Sequence, residues 1–215
     1  MQTDEFNERR TVLVLGIAVE GGLVLLAFGI GWITGIAPLE SFAWEWPAVV
    51  WGVAGALPVF ALFLLSQRYP LGPLKQINRF LVEAVGPALA ACRWYELVLI
   101  AAMAGFGEEV LFRGVLQPWI ETWGWGIIAA LVISNVIFGA AHLITPAYAV
   151  LAGVIGVYLG LMLDAPAERN LLTPVITHGL YDYLAFLVVV GTVRKEQAAA
   201  EEHEEPQASA DLEHS

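Results

Sequence analysis

Long apolar runs alternate with short polar stretches along most of this chain. Six runs predict helices that can cross a bilayer, where about 20 apolar residues are needed. They run from about Thr11 to Ile36, Val49 to Ser66, Trp94 to Leu116, Trp125 to Leu143, Tyr148 to Leu163 and Leu172 to Val190. Pro58 predicts a kink in the second. Between Gln67 and Arg93 the stretch LKQINRFLVEAV mixes charged and apolar residues at helical spacing, which predicts an interfacial amphipathic helix. Beyond Arg194 the chain is polar and rich in Ala and Glu, and disorder is the expectation there. The pattern reads as an all-α, polytopic membrane helical bundle. It has a single transmembrane domain over residues 1–195 and an acidic tail over 196–215.

Composition sharpens this picture. Hydrophobic residues make up 58% of the chain and charged residues only 14%, against about a quarter charged in soluble domains. A soluble enzyme, a disordered chain and a disulfide-rich secreted module are excluded. The net charge of −11 mostly describes the tail, which holds seven acids (Glu196, Glu201, Glu202, Glu204, Glu205, Asp211 and Glu213) and no Lys or Arg. Nothing is basic enough to recruit nucleic acid. Cys92 is the only cysteine, so neither an internal disulfide nor a Cys-based zinc site can form. The first apolar run is too long for a cleavable signal peptide and lacks a small-residue cleavage site.

Lys and Arg positions give the orientation. With a cytoplasmic N-terminus, Arg9, Arg10, Arg68, Lys75, Arg79, Arg93, Arg194 and Lys195 all lie inside and only Arg169 outside. Both termini are therefore expected in the cytoplasm, in the plasma or inner membrane of a prokaryotic host. Gly156 and Gly160 form a GxxxG pattern whose ordinary meaning is close helix packing.

Ionisable groups inside apolar helices are costly and usually mark function. Three constellations stand out: Glu108, Glu109 and Arg113 in GFGEEVLFRG; Phe138 and His142 in FGAAH; His178 and Asp182 in THGLYDY. Glu109 and Arg113 are four apart with the acid first, the favourable order for a helical ion pair. Glu108 points about 100° away around the helix and has no local cation. That makes Glu108, rather than Glu109, the general-base candidate. His178 and Asp182 share one helical face, and Phe138 stands one turn before His142. Either acid–base activation of water or zinc held by Glu108, His142, His178 and Asp182 could use such a set. One intramembrane His or one EExxxR alone can be structural glue; three such groups together are better explained by chemistry. Glu96 is expected to snorkel to the interface. Glu20, set deeper, is read as a packing hydrogen bond, and neither is given a catalytic role.

The ordered trio EExxxR, FxxxH and HxxxD resembles the CPBP family of intramembrane peptidases, which includes CAAX endoproteases, Abi-type proteins and bacteriocin-processing enzymes. The resemblance covers roughly Glu96 to Val190 and places a catalytic core at about 94–192. It implies a multi-pass endopeptidase acting on membrane-associated peptides or proteins. It implies further that Glu108 and His142 activate water, His178 and Asp182 stabilise the oxyanion, and Glu109, Arg113 and Phe138 support the site. Such a mechanism requires no cofactor, with Zn2+ as the alternative. Asp182 departs from the Asn of the eukaryotic CAAX enzymes, and an ionised Asp cannot donate to an oxyanion. A membrane scaffold or immunity-type protein that keeps the motif without turnover is the competing class; a proton-relaying transporter is a third, disfavoured because no paired repeats are visible. His178 lies near the start of its run, and a broken or tilted helix around Pro146 would bring it to the depth of Glu108.

Overall fold

The computed structural model describes residues 2–212; Glu213 and His214, the last acid and last histidine of the tail, lie outside them. Among the described residues every regular element is helical. In order they are α1 (Gln2–Thr34), α2 (Trp46–Arg68), α3 (Pro73–Phe80), a π-helical turn (Leu81–Val85) and α4 (Gly86–Ala90). There follow α5 (Trp94–Leu111), a second π-helical turn (Phe112–Leu116), α6 (Gln117–Glu121), α7 (Gly126–Ala141), α8 (Pro146–Met162) and α9 (Leu172–Leu212).

Among the described residues, three helices have the length and composition of a membrane crossing: Arg9–Thr34 of α1, Trp46–Arg68, and Leu172–Ala200 of α9. Six were expected. The shortfall has a physical reason in each case. α5 is 18 residues long but carries Glu96, Glu108 and Glu109, and it gains length only by continuing through the π turn into α6. α7 and α8 have 16 and 17 residues. At about 1.5 Å per residue they fall short of a ~30 Å hydrocarbon core.

Apolar residues face outward as well as inward. Leu25, Trp32 and Leu62 are exposed, as expected of a surface that meets lipid rather than water. Inside, small residues set the packing, as is usual where lipid tails remove the hydrophobic drive. A side chain added at Gly105 would strike the backbone of Gly179, and one at Gly52 would strike Ile176. These contacts bring α9 against both α5 and α2. Pro58 lies inside α2, which stays a single helix.

α1 and α5 run parallel. Arg9 binds Glu96, 87 positions later, with Nε 2.8 Å from Oε2; Glu20 lies against Gly107 at the same offset. The snorkelling expected of Glu96 is thus corrected. Glu96 is buried, and its Oε2 also accepts from the Arg93 backbone N–H at 2.8 Å, capping the first turn of α5.

α7 and α8 form an antiparallel hairpin closed by a turn at residues 142–145. Thr145 caps α8, its Oγ1 accepting from the Tyr148 N–H at 3.1 Å, and Pro146 takes the first helical position, which lacks an N–H partner anyway. The break expected near Pro146 is this turn. Outside the bundle core, Arg169 bridges Glu121 and Asp164, and those two carboxylates hold its guanidinium above the usual range.

Two further expectations meet the structure. The interfacial helix appears as α3, the first π turn and α4; Asn78 anchors it by donating to the Ser66 carbonyl at 2.8 Å. The tail, read as disordered, instead continues α9 as helix to Leu212. Its Ala, Glu and Gln content favours helix even where nothing is buried.

Candidate active site

The three constellations meet at one place. Glu108 and Glu109 stand near the end of α5, Arg113 in the π turn that follows, His142 at the C-cap of α7, and His178 and Asp182 in the early turns of α9. The depth of His178 follows from where α9 begins. Leu171 packs at Gly114, and from that level six residues along α9 and six back along α5 both reach the site. Each path is about 9 Å of helix.

Glu109 and Arg113 are sealed, with side chains 0% and 1% exposed, and their ion pair spans 3.0 Å. The guanidinium serves three helices, since Nη2 also donates to Asn135 Oδ1 at 2.8 Å on α7 and to the Gly156 carbonyl on α8. Its Cζ lies 4.9 Å from the Phe138 ring centroid, within cation–π range. Gly156 is required here. A side chain would collide with Asn135 Oδ1 and crowd Arg113 and Phe138. The GxxxG pattern therefore packs helices, as expected, and also opens a carbonyl to Arg113.

Glu109 does more than pair with Arg113. Its Oε1 also accepts from His178 Nδ1 at 2.9 Å. A carboxylate has no proton to give, so Nδ1 carries the hydrogen and Nε2 is turned to the cleft. That nitrogen lies 3.5 Å from Asp182 Oδ2 and 4.0 Å from Glu108 Oε2.

His142 is fixed in the same manner. Its Nδ1 donates to the Phe138 carbonyl at 2.9 Å, and its ring stacks on Phe138 with centroids 4.4 Å apart. Nε2 therefore faces Glu108, 3.7 Å from Oε1. Glu108 stands between the two imidazoles, one oxygen toward each, and its Oε2 is buried without a hydrogen-bond partner. Side-chain exposure runs from 9% at His178 and 12% at Glu108 to 20% at Asp182 and 25% at His142. The cleft is narrow, but it is reachable, unlike the Glu109–Arg113 pair beneath it.

Zinc was the alternative use of Glu108, His142, His178 and Asp182. Among the described residues, no group of three or more His, Cys, Asp or Glu side chains is arranged to hold a metal ion. Glu108 divides its oxygens between the two histidines instead of turning them, with Asp182, on one point. As placed, the donor set does not fit a metal centre.

Residues 90–184 match a family model described as Type II CAAX prenyl endopeptidase Rce1-like. Over that stretch the chain is Rce1-like. No curated protein and no solved structure matches it. The Rce1-like segment contains all seven motif residues, from Glu108 to Asp182, and it implies a membrane protease. It begins at the end of α4 and stops early in α9, so α1 and α2 lie outside it.

Some of the geometry around the Rce1-like site was missed in the sequence. Asn135 holds Arg113, and Tyr148 brings its ring to 6.2 Å from that of His142. A signal for Asn135 was present: Ser134 and Asn135 are the polar pair within the otherwise apolar α7.

Proposed function

We propose that this protein is an intramembrane endopeptidase that hydrolyses peptide bonds of membrane-associated peptides or proteins by activating water between Glu108 and His142. The observation that carries this reading is the placement of Glu108. Its Oε1 and His142 Nε2 are both acceptors, separated by 3.7 Å, too far for a direct bond. A water placed between them can donate one hydrogen to each, which leaves its oxygen lone pairs free to attack a carbonyl carbon. Glu108 then takes the proton as general base.

The developing oxyanion needs donors on the other side. His178 can serve if Nε2 carries a proton in addition to the one Nδ1 gives to Glu109, with Asp182 and Glu109 as counter-charges. In this role Asp182 acts through the imidazole, so its carboxylate need not itself donate. The proton held by Glu108 passes to the leaving amine, and the site returns to its starting state.

Within this reading α1, α2, α5 with α6, and α9 cross the bilayer. The short α7 and α8 complete six crossings by drawing the bilayer thinner around the hairpin. The excess of Lys and Arg at the N-terminus, between α2 and α5, and after residue 193 puts both termini in the cytoplasm. The test is cleavage of a membrane-delivered peptide library by purified protein in nanodiscs, with Glu108→Gln alongside. Products that appear with wild type and not with the variant support the reading. Equal products, or none from either, reject it and favour a scaffold that keeps the motif without turnover.

A further inference from the structure

Glu20 is the only acid between Arg9 and Thr34 of α1. It lies on the face turned to the bundle. Arg9 on that face binds Glu96, Gly16 touches Ile100, and Leu23, Ala27 and Ile30 belong to the core beside the site. The spacing of three and four residues makes one continuous stripe. In an apolar stripe a carboxylate should find a donor. Glu20 has not found one: its Oε2 is buried and unpartnered. The packing hydrogen bond expected of this residue is not made.

The position of that oxygen is informative. Glu20 lies against Gly107, the residue before Glu108, and a side chain at Gly107 would strike both Glu20 Oε2 and the Glu20 carbonyl. The charges that bear on Glu20 include Glu108, His142, His178 and Asp182. A helix outside the Rce1-like segment thus brings a free acceptor to the edge of the cleft.

A peptide opened for cleavage inside a membrane poses a specific problem. Its backbone N–H groups lose their helical partners and have no bulk water to bind. The surrounding helices have spent their own carbonyls on internal bonds, so a side-chain acceptor is needed. We infer that Glu20 is a substrate-positioning residue whose free carboxylate oxygen receives a backbone N–H of the peptide segment lying between α1 and α5, next to the bond under attack. This inference rests on the endopeptidase reading of Glu108 and His142.

Two variants test it, with a peptide that wild type cleaves. Glu20→Gln keeps a carbonyl oxygen at the same place and should hold kcat/KM within about threefold. Glu20→Leu fills similar space without an acceptor and should lower kcat/KM about tenfold or more, mainly through KM, at an unchanged or raised melting temperature; tenfold is the order expected for one lost hydrogen bond. Leu as active as wild type, or Gln as impaired as Leu, overturns the inference. A second measurement does not depend on turnover. In a Cys92→Ala background, Glu20→Cys should react with a charged, water-soluble thiol reagent, whereas Leu23→Cys one turn on should not. If wild type cleaves nothing, the endopeptidase reading fails by itself. Labelling then decides whether Glu20 lines the cleft: reaction at 20 and not at 23 supports that placement, and no reaction at 20 overturns it.

Discussion

His178 and Arg113 donate to the same atom, Oε1 of Glu109, at 2.9 and 3.0 Å. One carboxylate oxygen therefore joins the sealed ion pair to the face of the cleft. Sequence spacing assigned Glu109 a structural role, and the geometry adds orientation of His178. Glu109→Gln should accordingly harm two properties. Breaking a buried ion pair costs about 3–5 kcal/mol, seen as a lower melting temperature. Cleavage per folded molecule should fall as well, because a neutral amide serves two charged donors poorly. Unchanged cleavage per folded molecule would show that His178 is oriented by something else.

Glu108→Gln separates chemistry from stability. Glu108 Oε2 has no partner to lose, so the melting temperature should stay close to that of wild type. Cleavage should drop by about 10²–10⁴-fold, the usual worth of a positioned general base. The measurement is single-turnover cleavage beside a thermal melt of the same preparation. A stable variant with wild-type rates removes Glu108 from the mechanism.

Asp182→Asn distinguishes water activation from a metal site. Asn still offers its oxygen toward His178 Nε2 and can donate as well, so substantial activity should remain, and chelation should affect neither protein. Bound zinc is measured in parallel. Stoichiometric zinc in active wild type, lost together with activity in the variant, would falsify the metal-free mechanism.

Gly156→Ala probes the floor of the site. The new methyl group would fall on Asn135 Oδ1 and press on Arg113 and Phe138. Overpacking of this kind costs about 1–3 kcal/mol. The same change at Gly21, where nothing lies within 4 Å, is the control and should be neutral. Equal melting temperatures for the two variants would mean that α8 can shift away freely.

Removing residues 197–215 should leave folding and cleavage of a minimal peptide unchanged. α9 continues as helix through most of this segment, and its polar composition offers little to bury. Activity lost on truncation would make the tail a docking element.

What the sequence made legible depended on the distance over which each relation acts. Glu109–Arg113 and His178–Asp182 are set four apart on single helices, and helical periodicity alone exposes them. The bonds of Arg113 to Asn135 and Gly156 reach across 22 and 43 residues, and no local period encodes them. Glu20 was noticed because an acid in an apolar helix is anomalous, but its neighbour Gly107 appears only once α1 and α5 lie side by side. The crossings were overcounted for a related reason. Hydropathy marks apolar runs, and it does not tell a spanning helix from the short arms of the α7–α8 hairpin.

The π-helical turn at Phe112–Leu116 makes the site sensitive to chain length as well as to residue type. Such a turn accommodates one residue more than an α-helical turn would over the same rise. Deleting a single residue there would restore regular winding and rotate one side of the helix by about 100° against the other. Glu108 and Glu109, upstream, would fall out of phase with Gln117 and the corner leading to α7, downstream. Either the carboxylates or the route to His142 would then face lipid. The spacing from Glu109 to the α7 entrance is thus a counted quantity, and a shortened variant with every motif letter intact should still be inactive.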